Sequence, residues 1–189
     1  MKNFEFKCSC CIEIHKGIPS FGTEAPLYYY CIPNNELEER TFLTSDTCVI
    51  DDTDYFVKGC LEIPVDGYGE QFSYNGWVSL REDNFFKFQD LLDVVERENQ
   101  EPMIGWFSSW IYPFEDTEKL KAKIHFRNNG MRPFIELEPT DHPLAIAQKD
   151  GISVEKVIEI YECYVHGVEK NSARQHLNAS LRPTASPVV

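Results

Sequence analysis

The sequence is poor in basic residues. Its 189 residues include 18 lysines and arginines against 31 aspartates and glutamates, which gives a formal net charge of −13. Arg174 and Arg182 are the only charged residues after Lys170, so residues 1–170 carry a charge of −15. Such a field repels nucleic acids and anionic membranes and attracts basic proteins. We therefore expect no nucleic-acid or membrane partner. The acidic charge favours either the binding of a basic protein partner or solubility alone.

The sequence also lacks any long apolar run. No segment approaches the ~18 apolar residues that a membrane-spanning helix needs, and the best candidate, residues 103–114, is interrupted by Ser108, Ser109 and Pro113. The first residues, MKNFEFKCSC, have no apolar core of the kind found in signal peptides. Seven cysteines without a secretion signal favour a reducing compartment, where metal binding or burial explains them better than disulfides. We expect a cytoplasmic protein.

The most informative pattern that is present lies near the start of the chain. Cys8, Cys11 and His15 are spaced as C-x-x-C-x-x-x-H. A tight turn brings two thiolates and an imidazole at this spacing to one tetrahedral Zn²⁺ ion, and a structural site of this kind has a fourth ligand. The cysteines that can supply that ligand are Cys31, Cys48 and Cys60.

Two other interpretations of this segment stay open. The thiols can form a redox pair, although the lowered pKa that such chemistry requires is usual at a helix N-terminus and no helix start follows Cys8. Alternatively, Cys10 and Cys11 are small apolar residues in a packed turn, as free cysteines often are.

The rest of the sequence predicts an α+β domain. Strand-like segments rich in β-branched and aromatic residues, separated by turn residues, occur at residues 3–7, 41–50, 55–65, 72–80, 104–112, 121–127 and 134–138. Ser79 and Glu82 have capping-box spacing and predict a helix that reaches Glu98. Phe85 and Val95 are the outer members of its apolar stripe.

Two short helices are predicted at the C-terminal end. Thr140 or Asp141 caps the first, which ends at Gly151; Ser153 caps the second, which ends at Gly167. The fold class is therefore α+β, with a mainly antiparallel sheet, one long mid-chain helix and a C-terminal helical pair. We expect a single domain over residues 1–168 and a flexible tail over residues 169–189.

Several segments resemble an uncharacterised bacterial family, domain of unknown function 2199. The matching stretches are FKCSCCIEIH, SDTC, YFVKGCLEIPV, GWVSL, NFFKF, DTEKLK, RPFIELEPTDHPLA and residues 148–152. The resemblance carries no established activity. It favours Cys48 as the fourth metal ligand, because Cys48 ends the matched SDTC step. The family's first motif reads C-x-x-C-G-x-x-H, and Ile12 replaces its glycine here, which makes a left-handed turn at this position costlier.

Two weaker patterns have structural explanations. Residues 141–167 have the helix–turn–helix order, but the second helix carries Glu155, Glu159 and Glu162 against Lys156, which opposes DNA binding. Asp141 and His142 suggest acid–base chemistry, yet both stand at a helix start, where capping explains them.

These observations give three hypotheses. The leading one is a cytosolic binding or interaction protein, not an enzyme, with a structural zinc at Cys8, Cys11, His15 and Cys48. The second is an acidic inhibitor of a basic toxin, of the type that immunity proteins represent. The third is a thiol- or metal-dependent enzyme that uses Cys8 and Cys11. A closed four-ligand site indicates structure, whereas three ligands beside a pocket indicate chemistry.

Overall fold

Two long neighbouring strands organise the fold. In the computed structural model, which describes residues 4–11 and 13–167, β6 (Asp54–Pro64) and β7 (Gln71–Leu80) pair antiparallel along their whole length. The other strands are β1 (Glu5–Lys7), β2 (Ile14–Lys16), β3 (Ser20–Gly22), β4 (Thr41–Leu43), β5 (Thr47–Ile50), β8 (Met103–Phe107), β9 (Lys121–His125) and β10 (Phe134–Leu137). The helices are a 3₁₀ helix (Leu27–Cys31), α1 (Leu37–Arg40), α2 (Glu82–Asp90), α3 (Pro143–Asp150) and α4 (Val154–His166). The predicted α+β class is confirmed.

Strands β6 to β10 close into a five-stranded barrel. Each strand pairs antiparallel with the next, and β10 returns to β6 in parallel, with Phe134 opposite Cys60. Because a five-stranded meander begins and ends in the same direction, its closing pair has to be parallel. The β3–β7 pairing is parallel as well. The sheet is therefore a mixed one built around a closed barrel, which the prediction of a mainly antiparallel meander did not include.

The barrel interior is filled by the apolar residues that alternate along its strands. Val57, Leu61 and Ile63 on β6 are fully buried there, as the period of two requires. Strands β7 and β8 approach so closely that a Cβ on Gly105 would lie 2.2 Å from the Ser79 carbonyl oxygen. Glycine at this position allows the two paired strands to approach this closely.

The predicted long mid-chain helix is wrong in extent, because α2 ends at Asp90. Arg97 is buried in the loop that follows, and its guanidinium donates to the carbonyls of Leu91, Leu92, Arg127 and Met131 at 2.8–3.0 Å. A buried guanidinium needs hydrogen-bond acceptors, and Arg97 reaches these carbonyls because the chain leaves the helix before it. Val95, placed in the predicted apolar stripe, is exposed instead.

The C-terminal helical pair is present. His142, not Thr140 or Asp141, caps α3: its Nδ1 accepts the Leu144 N–H at 3.1 Å. Ser153 caps α4 as predicted, and Gly167 ends it with a φ of 69°. No helix within the described residues is long and apolar enough to cross a membrane. Ile12 and the predicted tail over residues 169–189 lie outside the described residues.

Strands β4 and β5 extend the sheet beyond the barrel on the β6 side. They and the 3₁₀ helix enclose a second apolar core, which contains Ile32, Cys48, Ile50, Phe56 and Trp77. This second core is separate from the main hydrophobic cluster, which includes the barrel interior and Cys8. Cys8 and Cys48 therefore lie in different hydrophobic clusters.

Candidate metal centre

The N-terminal hairpin brings the Cys8–Cys11 turn against the end of α4. Strands β1 and β2 form a two-stranded sheet in which Phe6 lies opposite His15. The rings of Phe6, His15 and Tyr161 form a compact group, with centroid separations of 5.1, 5.1 and 4.6 Å. This aromatic packing attaches the hairpin to α4 and fixes the position of the turn between its strands.

Three ligand atoms converge at this turn. The Cys8 and Cys11 sulfurs and a ring nitrogen of His166 all lie within 4.8 Å of one another. Tetrahedral Zn²⁺ with sulfur at about 2.3 Å and nitrogen at about 2.1 Å holds its ligands roughly 3.5–4 Å apart. A movement of about 1 Å therefore suffices to close these three residues on one ion.

His15 stands next to this group. Its Nε2 is 3.1 Å from the Cys11 sulfur, and its Nδ1 is 3.2 Å from the Tyr161 hydroxyl. Metal-bound histidines usually use their second nitrogen in such a hydrogen bond, which fixes the ring orientation and the tautomer. His15 therefore contacts Cys11 and is held by Tyr161, but it lies outside the group of ligand atoms that come within 4.8 Å of one another.

Glu162 forms a second contact between α4 and the turn. Its Oε1 accepts the Ser9 N–H at 2.7 Å and lies 3.6 Å from the Cys8 sulfur. The hydrogen bonds from Ser9 lower the pKa of this carboxyl. Cys8, Cys10 and Glu162 also lie close enough to share an ion, but zinc prefers the sulfur- and nitrogen-rich set.

The turn borders the solvent. An open cavity of about 790 Å³ has Cys8, Cys10, Cys11 and Glu162 in its wall. The Glu13 main chain favours the Cys11 thiolate, but partial burial and the neighbouring Cys8 outweigh it, so the pKa of Cys11 is raised. A metal ion therefore has to displace protons from the thiols, and the cavity gives it a route to them.

The structure places Cys48 elsewhere. It lies on β5 in the second core, fully buried among apolar side chains, and burial raises its pKa to about 12. Among the described residues, neither Cys48 nor the alternatives Cys31 and Cys60 belongs to a group of possible metal ligands. Cys8 and Cys11 are brought together with His166, and His15 lies beside Cys11.

Sequence reasoning missed His166 for a clear reason. Its only local signal is its place in the last turn of α4, and a histidine there is ordinarily read as favourable to the helix dipole. Cys10, which one alternative interpretation of the sequence placed in a packed turn, is exposed. His142 is occupied as a helix cap, and its Nε2 lies 2.8 Å from the Glu115 carbonyl oxygen, so its role is structural.

The chain was compared with known protein families, curated proteins and solved structures. Residues 7–152 match DUF2199, described as an uncharacterized protein conserved in bacteria. The chain belongs to this family. Comparisons with curated proteins and with solved structures gave no match. The matched region contains Cys8, Cys11 and His15, whereas His166 and Glu162 lie beyond its end.

Proposed function

We propose that this DUF2199 protein is a binding protein whose N-terminal hairpin is fastened to α4 by a structural Zn²⁺ ion. Cys8, Cys11, His15 and His166 are its ligands. The observation that carries the proposal is the convergence of Cys8, Cys11 and His166 within 4.8 Å, with His15 3.1 Å from Cys11.

The donor set favours zinc over the common hard cations. Two thiolates and two imidazoles form a tetrahedral set that suits Zn²⁺, whereas Ca²⁺ and Mg²⁺ require oxygen ligands. Tyr161 completes the arrangement because it holds the second nitrogen of His15.

A metal ion that attaches the N-terminal hairpin to α4 would stabilise the hairpin. Its strands are three residues each and form a sheet of their own, so the hairpin is held by side-chain packing on α4, and a metal ion would add a second attachment. An ion shared by Cys8 and His166 ties this hairpin to the far end of the described chain, and its binding free energy stabilises the folded state because the unfolded chain does not assemble the site.

A direct test is metal analysis of the full-length protein purified without chelator. We expect one zinc per chain in the wild type and in the matched control Cys48→Ala, none in Cys8→Ser, and weakened binding in His166→Gln. Absence of zinc from protein with fully titratable thiols would overturn the proposal. Equal zinc loss in Cys48→Ala and Cys8→Ser would overturn the ligand set.

The cavity beside the turn favours a second candidate, a metal-dependent activity at Cys8, Cys11 and His166 with an open fourth position. Replacement of the zinc by Co²⁺ distinguishes the structural site from the open site. A closed Cys₂His₂ site gives a visible spectrum that azide does not change, and His15→Ala makes it azide-sensitive. A wild-type spectrum that already responds to azide supports the open, enzymatic site.

A third candidate concerns the acidic lobe, residues 36–54, which form α1, β4, β5 and the turn after them. The lobe contains seven acidic residues and one basic residue, Arg40. Glu36 and Asp51 hold the Arg40 guanidinium at 2.8 and 2.6 Å, so its charge is neutralised locally. Strand β4 is the last in the sheet, and its Phe42 side chain is 65% exposed. An acidic edge strand with an exposed aromatic suits a basic protein partner, as an immunity-type inhibitor requires.

Affinity capture from the native host tests this binding surface. We expect the wild-type protein to retain a basic protein that Phe42→Glu loses, while the control Ile146→Glu, an exposed position on α3, retains it. A basic partner retained equally by Phe42→Glu contradicts the role of the β4 edge, and capture of no basic protein contradicts the candidate as a whole.

A further inference from the structure

A second cavity, of about 500 Å³, lies on the outer face of the barrel, away from the residues of the metal centre. Its floor follows from strand register. Phe56 on β6 lies opposite Ser79 on β7, and Ser79 lies opposite Trp106 on β8. A small residue therefore stands between two aromatic residues in one row across three strands.

The strand spacing of this row leaves room for a ligand between two rings. Neighbouring strands lie about 4.8 Å apart, so the backbone positions of Phe56 and Trp106 are roughly 10 Å apart. Tyr28 from the 3₁₀ helix adds a third ring, with its centroid 6.0 Å from that of Phe56. A cation held between aromatic faces sits within about 6 Å of each ring centroid. The slot therefore has the width that a compact cationic group needs.

Trp106 is the accessible wall of the slot. Its side chain is 52% exposed, whereas Phe56 is buried beneath Tyr28. An exposed tryptophan beside a cavity is an apolar surface that a ligand can cover.

The charges around the slot favour a cation. Asp54 lines it, and Glu118 accepts a hydrogen bond from the Tyr28 hydroxyl at its edge. Lys119 lines it too, but its Nζ is paired with Glu118 at 3.2 Å. Two carboxylates thus stand at the slot with one ammonium group, which is paired with one of them. An anionic ligand would meet Asp54, whereas a cationic one would be stabilised by Asp54 and by the ring faces.

We propose that this slot binds a small organic cation, a quaternary or methylated ammonium group, between Trp106 and the Tyr28–Phe56 pair. The Asp54 carboxylate balances the ligand's charge. The same group is present in a free small molecule such as choline and in a trimethyllysine side chain of a protein. The proposal is independent of the metal centre, because the two sites share no residue.

The test is calorimetric titration of the full-length protein with choline and with its neutral isostere 3,3-dimethylbutan-1-ol. We expect choline to bind and the isostere to bind about ten-fold more weakly, because only the cation interacts with the ring faces and Asp54. Equal binding of the two ligands would overturn the proposal, since it would show an apolar slot without preference for charge.

Variants locate the site. Trp106→Leu keeps an apolar side chain but removes the π face, and we expect it to weaken choline binding about ten-fold. The control Ile104→Ala, exposed on the same strand, leaves the affinity unchanged. Lys119→Met, which removes the competing ammonium group, strengthens binding about two-fold. Unchanged affinity in Trp106→Leu contradicts the assignment to this slot.

The source of the cation is tested by a second titration, with a trimethyllysine peptide and its unmethylated form. Tighter binding of the methylated peptide than of choline assigns the slot to a protein partner, and the reverse order assigns it to a small molecule. Failure of both probes at about 10 mM overturns the proposal.

Discussion

Cys8 and Cys48 are both almost completely buried, 2% and 0% exposed, yet their surroundings differ. The Cys8 sulfur lies beside Cys10, Cys11, Glu162 and His166, at the wall of an open cavity. Cys48 lies among Ile32, Ile50, Phe56 and Trp77. Burial alone therefore does not distinguish a metal ligand from a packing residue. The neighbouring side chains do, because a metal needs several donors at one point whereas a core needs only apolar volume.

Thiol reactivity should show the largest contrast between these regions. Burial raises the pKa of Cys48 to about 12, which lowers its thiolate fraction about a thousand-fold relative to an ordinary cysteine. We expect N-ethylmaleimide to label the exposed Cys10 in the native protein and to leave Cys48 unlabelled until unfolding, as peptide mass spectrometry can measure. Labelling of Cys48 at the rate of Cys10 would show that the second core opens readily.

Removal of the metal should have the next largest effect. Zinc at a thousand times its dissociation constant stabilises a folded protein by about 4 kcal/mol, so we expect a chelator to lower Tm by about 10 °C. Calorimetry measures the shift. Cys8→Ser is the control, because its Tm should not respond to the chelator. An identical response from wild type and Cys8→Ser would mean that the chelator acts elsewhere.

Substitutions of Cys48 should affect stability and not metal binding. Cys48→Ser places a hydroxyl without a partner in the apolar core, and we expect a loss of about 2 kcal/mol in the free energy of unfolding. Cys48→Ala leaves no polar group and should lose about 1 kcal/mol. Urea unfolding with metal analysis separates the two quantities. Loss of zinc from either folded variant would contradict the distinction between the regions.

Loss of the Tyr161 hydroxyl beside His15 should have a more limited effect, confined to metal affinity. Tyr161→Phe keeps the ring packing but removes the hydroxyl near Nδ1, and we expect the Kd for zinc to rise about ten-fold. The control is Tyr164→Phe on the same helix, whose hydroxyl bonds to the Trp110 carbonyl oxygen instead. Competition with a chromophoric chelator measures both affinities. Equal zinc affinities in the two variants would remove Tyr161 from the metal centre.

Binding of an organic cation at Trp106 and of zinc at Cys8 should be independent of each other. The two sites share no lining residue, so zinc removal is expected to leave choline affinity within about two-fold, as is usual for distant sites. Titration of the chelated protein measures this. A larger change would indicate that the N-terminal hairpin affects the outer face of the barrel.

The sequence by itself determined the α+β class, the long strands β6 and β7, and the caps at Ser153 and Gly167. These features depend on residues close together in the chain, through the period of two in a strand and the local geometry of helix ends. The sequence also predicted that Cys8, Cys11 and His15 form one unit, and the structure places His15 beside Cys11.

The tertiary structure alone decided the closure of the barrel, the end of α2 and which residue of α4 packs against the Cys8–Cys11 turn. The closing pair joins Cys60 to Phe134, and Arg97 is satisfied by carbonyls that include Arg127 and Met131. For the same reason His166, and not Cys48, lies beside the Cys8–Cys11 turn. Whether a residue reaches the turn depends on how α4 packs against the hairpin, and no local pattern encodes a contact between positions 11 and 166.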